Sequence, residues 1–252
     1  MKKIVINIDY CLISFILFLV LLYMINYDKF VNIKDEFVNI KDEDIIYNVI
    51  HIKKNNDLRY NQILQMEKLL GKKIYFFDGI YGKNIDLNNL SIFDNNLSFN
   101  FNYRYIGEVG CYLSHFMLIK QCINSHANYS VILEDDFIIN DSNFNNQLKE
   151  TLEKITIDFD MLYLGNITEN RGEQIVDNIY YPNRNEQILG THGYLIKNKN
   201  ALKILKALYN INMPIDHKFR VEFLKNNINI LMLYPSIVVA NNSIGSIIHP
   251  DE

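Results

Sequence analysis

Short apolar segments alternate with amphipathic ones through most of this chain. The run at 45–52 is β-branched and apolar and predicts a buried strand, whereas 57–70 has apolar residues at helical spacing. A second strand at 73–77 completes a β-α-β unit, whose usual handedness favours a parallel sheet. A polar stretch at 84–103 lacks periodicity and predicts a loop. Beyond it we predict helices at 107–126, 143–155, 200–208 and 216–225 and strands at 129–133, 160–164, 192–196 and 228–233. This alternation indicates an α/β sandwich.

An apolar segment at 10–25 precedes the α/β region and contains sixteen residues without a formal charge. As a helix it would extend about 24 Å, slightly less than a hydrocarbon core of about 30 Å. Lys2 and Lys3 precede it, which favours a cytoplasmic amino terminus and a single-pass type II orientation in the membrane. We therefore expect a signal-anchor helix within 1–27. The alternatives are a cleaved signal peptide, although no small-residue cleavage site follows, and a buried core helix.

The remainder of the chain divides at a change in composition. Residues 28–44 are polar and mixed in charge, and we interpret them as a stalk. Residues 45–252 then form a single domain, because 49% hydrophobic residues supply ample apolar surface for a core. A net charge of −4 argues against a protein that binds nucleic acid through its phosphates.

Three cysteines are too few for a disulfide scaffold. Cys111 and Cys122 are eleven residues apart in one predicted helix, which separates them by about 16 Å and prevents a disulfide between them. The sequence contains no CxxC pair, which argues against a zinc finger or a thioredoxin-like redox site.

Three consecutive acids, Glu134, Asp135 and Asp136, follow the predicted strand at 129–133. Ligands bind at the carboxyl ends of strands in open α/β sheets, so the triplet lies where a site is expected. Alternate residues of an extended chain share a face, which lets Glu134 and Asp136 converge while Asp135 points elsewhere. Carboxylates held close together repel, and a cation that prefers oxygen ligands, Mn²⁺ or Mg²⁺, relieves the repulsion. The alternative is a solvated acidic turn.

Several longer segments accompany the triplet in a fixed order. The most specific are GEVGCYLSH at 107–115, VILEDDF at 131–137 and DMLYLGN at 160–166. Looser ones are the opening β-α-β segment at 47–82, GTHGYLIKNKNALKIL at 190–205, PID at 214–216 and YPSIVVANNSIGSII at 234–248. Together they resemble glycosyltransferase family 25, the lipopolysaccharide and procollagen galactosyltransferase group, over nearly the whole predicted domain.

The resemblance implies a GT-A-like fold, which is a Rossmann-type α/β/α sandwich. It also implies a UDP-sugar donor, usually UDP-galactose or UDP-glucose, and transfer with inversion to a glycan, lipopolysaccharide or hydroxylysine-type protein acceptor. Carried over position by position, it places nine residues beside the nucleotide sugar: Ile50, His51, Arg59, Asp78, Gly79, His115, Glu134, Asp135 and His192. It makes Glu134 and Asp136 the ligands of Mn²⁺ or Mg²⁺, and His249 could complete the metal shell.

Sugar transfer also needs a carboxylate that accepts the proton of the attacking hydroxyl. Because this base must stand apart from the metal, we expect it to be Asp216, with Asp160 and Glu108 next in line. The alternatives for Asp216 are a metal or donor ligand and the N-cap of the following helix. His115 lies on an apolar helical stripe, so a buried core or capping histidine is its alternative role.

Two other functions remain open at this point. A metal-dependent nucleotidyl- or phosphotransferase would also use clustered carboxylates, but the sequence contains no GxxxxGK[ST] loop. A catalytically inactive glycosyltransferase-like protein that binds a sugar or a partner is the second. The intact acidic triplet favours an enzyme.

Overall fold

A computed structural model describes residues 40–52, 57–139, 141–168, 171–241 and 243. The apolar segment at 10–25, most of the interpreted stalk and His249 lie outside the described residues, so what we expect of them stays a prediction. Within the described residues, no helix is long and apolar enough to cross a membrane.

The described residues form twelve strands and five α-helices. The strands are β1 (Ile45–His51), β2 (Ile74–Asp78), β3 (Ser98–Phe99), β4 (Tyr129–Glu134), β5 (Phe137–Ile138), β6 (Met161–Gly165), β7 (Arg171–Val176), β8 (Ile179–Pro182), β9 (Gly193–Lys197), β10 (Asn210–Ile211), β11 (Ile230–Leu233) and β12 (Val239–Ala240). The helices are α1 (Asp57–Leu70), α2 (Ile106–Cys122), α3 (Phe144–Lys154), α4 (Ala201–Ala207) and α5 (Ile215–Leu224). Each helix and strand that the sequence predicts is present within a few residues of its expected position.

Eight strands form one sheet in the order β2-β1-β4-β9-β6-β11-β8-β7. Strands β1, β2 and β4 are mutually parallel, as are β6 and β11, but β9 lies antiparallel between β4 and β6. The expectation of a parallel sheet is therefore wrong, and the sheet is mixed. The chain reaches β9 from the β7–β8 hairpin and not through a helical crossover. Strand β9 therefore begins at the edge of the sheet where β4 and β6 end. The sequence analysis did not detect this hairpin.

Helices cover both faces of the sheet. Successive strand residues point to opposite faces, so Val131 and Ile132 in β4 enter different cores. Helices α2, α4 and α5 bury apolar side chains such as Phe116 and Phe219 against one face, and α1 and α3 bury Ile63 and others against the second. The predicted α/β sandwich is confirmed, with a mixed sheet at its centre.

The reversal of β9 determines which residues meet at one edge of the sheet. Strands β1, β4, β6 and β11 end at this edge, whereas β9 begins there. Leu133 pairs with Gly193, and the Glu134 amide donates to the His192 carbonyl at 3.2 Å. The acidic triplet is therefore brought beside the segment that leads into β9.

The described compact unit starts at Ile40, five residues before the boundary that the sequence indicates. Ile40 is 4% exposed, Asp42 forms ion pairs with Lys72 and Lys149, and Asp44 accepts from Asn128. The assignment of 40–44 to a stalk is wrong, because these polar residues have partners on the domain surface and Ile40 joins its core.

Candidate functional site

The acidic triplet occupies the carboxyl end of β4, and its three carboxylates face different partners. Asp135 is turned toward β1 and α1. The His51 ring lies 2.9 Å from one Asp135 carboxylate oxygen, and the Arg59 guanidinium binds the other. All three residues are buried. Asp135 is therefore satisfied by a cation and an imidazole, which makes it a support for the neighbouring acids.

Asp136 has the least satisfied carboxylate of the three. Its Oδ1 is buried and has no hydrogen-bond partner among the described residues, and its Oδ2 lies 3.9 Å from Arg59. Burial, followed by the negative charge of Glu134, raises the pKa of Asp136 to about 7, although Arg59 acts in the opposite direction. A second positive charge beside Asp136 would relieve this penalty.

The backbone around Asp136 is held by the carboxyl-terminal segment. Strand β12 pairs with β5, and the Asn241 amide donates to the Asp136 carbonyl at 2.7 Å. The Asn241 side chain also donates to Gln62 at 2.7 Å, and Gln62 in turn donates to the Phe137 carbonyl at 2.7 Å. The position of the triplet thus depends on a short antiparallel pairing that the sequence analysis did not predict.

Glu134 accepts hydrogen bonds from the opposite side of the site. His115 Nε2 lies 3.1 Å from Glu134 Oε1, and the Thr191 hydroxyl donates to the same oxygen. Burial acts to raise the pKa of Glu134, but the hydrogen bond and charge of His115, with the Thr191 bond, outweigh it and lower that pKa. Glu134 is consequently held in its charged form.

His115 is fully buried in α2 and connects Glu134 to the core. Its Nδ1 lies 2.8 Å from the Tyr194 hydroxyl, and the two rings stack with centroids 5.6 Å apart. His115 is therefore a buried core histidine whose second nitrogen reaches the acidic triplet, and its expected contact with the donor stays a prediction.

Cys111 lies one helical turn before His115, on the same face of α2. One potential metal-binding atom from each of Cys111, His115 and Glu134 falls within 4.8 Å of the others. Burial, then the charges of Glu134, Asp216, Asp136 and Glu108, raise the pKa of the Cys111 thiol well above its usual value. The negative charges of four carboxylates therefore disfavour the thiolate form of Cys111.

Asp216 also approaches this side of the site. It is the second residue of α5, whose N-cap is Pro214, so the N-cap alternative for Asp216 is wrong. Its Oδ2 accepts from the Gly190 amide at 3.0 Å, and its Oδ1 accepts from the His217 amide at 2.7 Å. Asp216 is thereby tied to the segment that carries Thr191.

His192 packs behind the same segment and is 4% exposed. Burial lowers the pKa of His192, although the Glu134 charge and a hydrogen bond to the Val238 carbonyl act against this. A neutral ring that donates to Val238 fixes β9 against the segment before β12. The arrangement gives His192 a positioning role.

One of the expected catalytic acids, Asp160, lies apart from the triplet. Asp160 precedes β6 at the opposite edge of the sheet, about 17 Å away at 3.3 Å per residue. It is 1% exposed, pairs with Lys203 and accepts from the Asn229 amide at 2.7 Å, so the expectation that Asp160 serves as a base is wrong. Glu108 is in the first turn of α2 and accepts from the Arg104 amide at 3.3 Å.

The remaining residues expected to contact the donor lie at the same edge of the sheet as the acidic triplet. Asp78 ends β2 opposite His51, and the Gly79 amide donates to the His51 carbonyl at 2.9 Å. The Ile50 side chain, however, is buried in the core on the α2 face. The Ile50 side chain is therefore not available for the expected contact with the donor.

A cleft of about 220 Å³ adjoins the site at the carboxyl ends of β6 and β11. The Arg171 guanidinium stacks on the Tyr234 ring at 3.8 Å from its centroid, and Asn166 Oδ1 is buried without a partner among the described residues. The Ile167 amide donates to the Leu189 carbonyl at 2.9 Å, which connects the cleft to the segment that carries Thr191.

Comparison with known proteins adds the following findings. Residues 45–219 match the family described as "Glycosyltransferase family 25 (LPS biosynthesis protein)". Procollagen galactosyltransferase 1-A of Xenopus laevis is 26% identical over 217 residues, which are 81% of this chain and 35% of that protein. Lipooligosaccharide biosynthesis protein lex-1 of Haemophilus influenzae is 33% identical over 127 residues, covering 46% of this chain and 41% of that protein.

Among solved structures, one similar chain is a glycosyltransferase involved in the glycosylation of the major capsid of PBCV-1. Its TM-score is 0.37 at 13% identity, with 65% of this chain and 64% of that chain covered. The chain spans at most about two fifths of the length of these two curated relatives.

Proposed function

Because the chain belongs to glycosyltransferase family 25, we propose that it is a metal-dependent, inverting hexosyltransferase. It takes galactose or glucose from a UDP-sugar and transfers it to a glycan, lipopolysaccharide or hydroxylysine-type acceptor. The fold we propose is GT-A-like, supported by a mixed sheet between two helical layers. The single observation that carries the proposal is the buried, unsatisfied Asp136 carboxylate beside a charged Glu134.

The residues at the end of β4 fit a divalent cation that prefers oxygen ligands. Asp136 Oδ1 lacks a partner among the described residues, and the Glu134 charge contributes to raising the pKa of Asp136. Glu134 and Asp136 would hold Mn²⁺ or Mg²⁺, since carboxylate oxygens are the ligands of these ions. When bound, the ion would neutralise charge that develops on the departing diphosphate.

Asp135 has a supporting role in this proposal. His51 and Arg59 both bind it from β1 and α1, so it cannot serve as a metal ligand without losing a buried ion pair. The three residues instead orient the backbone that carries Glu134 and Asp136. The donor would approach over the ends of β1 and β2, where Gly79 and Asp78 lie.

Asp216 is the carboxylate best placed to accept the acceptor's proton. It lies at the start of α5, contacts Gly190 and faces the Cys111 side of the triplet. The adjoining cleft would hold the acceptor, because Arg171, Asn166 and Tyr234 offer charge, hydrogen bonding and an apolar ring for a sugar. The segment at 189–190 contacts both Ile167 in the cleft and Asp216, so an acceptor hydroxyl held in the cleft would be directed toward Asp216.

A donor screen tests the proposal. The full chain, purified in detergent, is incubated with Mn²⁺ and a panel of UDP-sugars, and free UDP is measured. We expect release from UDP-galactose or UDP-glucose above that from the other sugars, with Asp136→Asn inactive. Binding of UDP-sugars without turnover for any acceptor would contradict the enzyme and favour a sugar-binding protein.

The location proposed for the enzyme follows from the sequence. The apolar segment at 10–25 behind Lys2 and Lys3 supports a single-pass type II membrane protein with a cytoplasmic amino terminus. Protease protection of the carboxyl-terminal domain in sealed membrane vesicles tests this orientation.

A further inference from the structure

One cluster at the edge of the site contains sulfur and nitrogen atoms, which are not the preferred ligands of Mg²⁺ or Mn²⁺. Helix α2 directs Cys111 and His115 toward Glu134, with one potential ligand atom from each residue within 4.8 Å of the others. We propose that Cys111, His115 and Glu134 form a second cation site, which selects a thiophilic divalent ion of the zinc class. This site shares Glu134 with the Mn²⁺ or Mg²⁺ position at Asp136 and differs from it in its other two ligands.

The ligand set matches zinc chemistry. Thiolate, imidazole and carboxylate are the three groups that bind Zn²⁺ in proteins, and three protein ligands with a fourth open position form a common tetrahedral arrangement. A thiolate and a carboxylate together carry two negative charges, which a divalent cation balances. Mg²⁺ and Mn²⁺ gain little from a sulfur ligand, so the cysteine gives the site its selectivity.

His115 can turn into a ligand without losing its own support. In the present geometry Nε2 lies 3.1 Å from Glu134 Oε1, and Nδ1 lies 2.8 Å from the Tyr194 hydroxyl. A tyrosine hydroxyl both donates and accepts, so it can accept a hydrogen bond from Nδ1–H when Nε2 binds a metal. Tyr194 therefore supplies the outer hydrogen bond that metal-binding histidines usually have.

The electrostatic surroundings favour a cation beside Cys111. Glu134, Asp216, Asp136 and Glu108 all act to keep its thiol protonated, because a thiolate there would add to their charge. A divalent ion reverses this balance, and the thiol proton is released to solvent as the metal–sulfur bond forms. Part of the cost of deprotonation is thus offset by attraction of the ion to the same carboxylates.

Occupation of this site has a consequence that rests on the proposed function. Glu134 Oε1 cannot serve both cations fully, so a zinc-class ion at Cys111 would withdraw Glu134 from the position at Asp136. A thiophilic ion should therefore antagonise the Mn²⁺-dependent reaction. Binding of the ion itself does not depend on any transferase activity.

The test uses Cd²⁺ as a spectroscopic probe and Zn²⁺ for calorimetry, both with the full chain in the absence of any donor. We expect one Cd²⁺ per chain with a thiolate charge-transfer band. Cys111→Ser should abolish the band and weaken Zn²⁺ binding by more than about 100-fold. Loss of a residue that only hydrogen-bonds to a metal ligand weakens binding by at most about that factor. Tyr194→Phe should weaken binding by roughly 10- to 100-fold, because it removes only that partner.

The other two cysteines provide matched controls. Cys122→Ser changes the same residue type on the same helix, and Cys11→Ser changes the third cysteine, so both should bind Cd²⁺ as the unaltered chain does. Should Cys111→Ser fail to fold, Zn²⁺ must slow maleimide labelling of Cys111 in the unaltered chain while Mg²⁺ does not. A thiolate band that survives Cys111→Ser, or labelling of Cys111 that Zn²⁺ leaves unchanged, would overturn the proposal even if the enzyme proves to be a transferase.

Discussion

Three neighbouring carboxylates illustrate how environment assigns different tasks to similar residues. Asp135 is paired with Arg59 and lies 2.9 Å from the His51 ring, and Glu134 is held charged by His115 and Thr191. Asp136 has only Arg59 at 3.9 Å from one oxygen and no hydrogen-bond partner for the other among the described residues, and burial and the Glu134 charge raise its pKa to about 7. At the residue scale, the account therefore predicts different responses to the same Asp-to-Asn change.

Asp136→Asn should stabilise the protein in chelator, and by more at pH 8 than at pH 5. The folded-state pKa of Asp136 is raised from 3.8 to about 7, so stability from the protonated carboxyl is present at low pH and is lost as the pH rises through this range. Three pKa units correspond to at most about 4 kcal/mol at pH 8. Urea unfolding at both pH values measures the difference. Asp135→Asn, the matched control, should destabilise at both, and an equal effect of Asp136→Asn at pH 5 and pH 8 would contradict the assignment.

Asp216→Asn should leave UDP-sugar affinity nearly unchanged but reduce turnover by roughly 100- to 10,000-fold, because a positioned general base is lost. Donor hydrolysis by water should fall as well, since water needs the same proton acceptor. Paired donor calorimetry and single-turnover kinetics measure the two effects. Asp160→Asn is the control, because that acid pairs with Lys203 at the other edge and should affect stability alone. A loss of donor affinity in Asp216→Asn would instead indicate a donor ligand.

At the scale of secondary structure, the antiparallel strand β9 has the largest effect on the site. The segment that leads into β9 packs closely against the end of β6. A Cβ at Gly165, the last residue of β6, would lie 1.9 Å from the Val238 carbonyl oxygen and 2.8 Å from His192 Nε2. Gly165→Ala should therefore destabilise the protein by about 1–3 kcal/mol, as overpacking does. Chemical denaturation measures this. Gly71→Asn is the control: Gly71 has φ +60 with open space around it, and asparagine tolerates that conformation, so a similar loss in both variants would refute the packing explanation.

The order of strands and helices could be predicted because each segment carries its own periodicity, as 57–70 does for α1. The direction of β9 could not, since Gly193–Lys197 has the same apolar pattern in either direction. Thr191 therefore could not be predicted as a site residue, whereas the spacing of Cys111 and His115 already indicates that they share one helix face. Asp160 was expected at the site because it flanks a predicted strand. It precedes β6, however, and the start of β6 lies at the edge of the sheet opposite the acidic triplet.

At the scale of the whole molecule, the domain begins before the change in composition that the sequence shows. A chain that starts at Ile40 should remain folded without detergent, whereas one that starts at Ile45 should melt several degrees lower. Burial of an isoleucine contributes about 1.5–3 kcal/mol, and the exposed ion pairs of Asp42 contribute little. Thermal unfolding of the two chains measures this, and identical melting temperatures would mean that 40–44 act only as a stalk.

The central claim, that the end of β4 binds a nucleotide sugar through a cation, is tested most directly by calorimetry of UDP with the full chain. We expect UDP binding to weaken sharply in chelator and to return with Mn²⁺, and Asp136→Asn to show the weak binding in both conditions. Tight binding of UDP that neither chelator nor Asp136→Asn reduces would contradict the account.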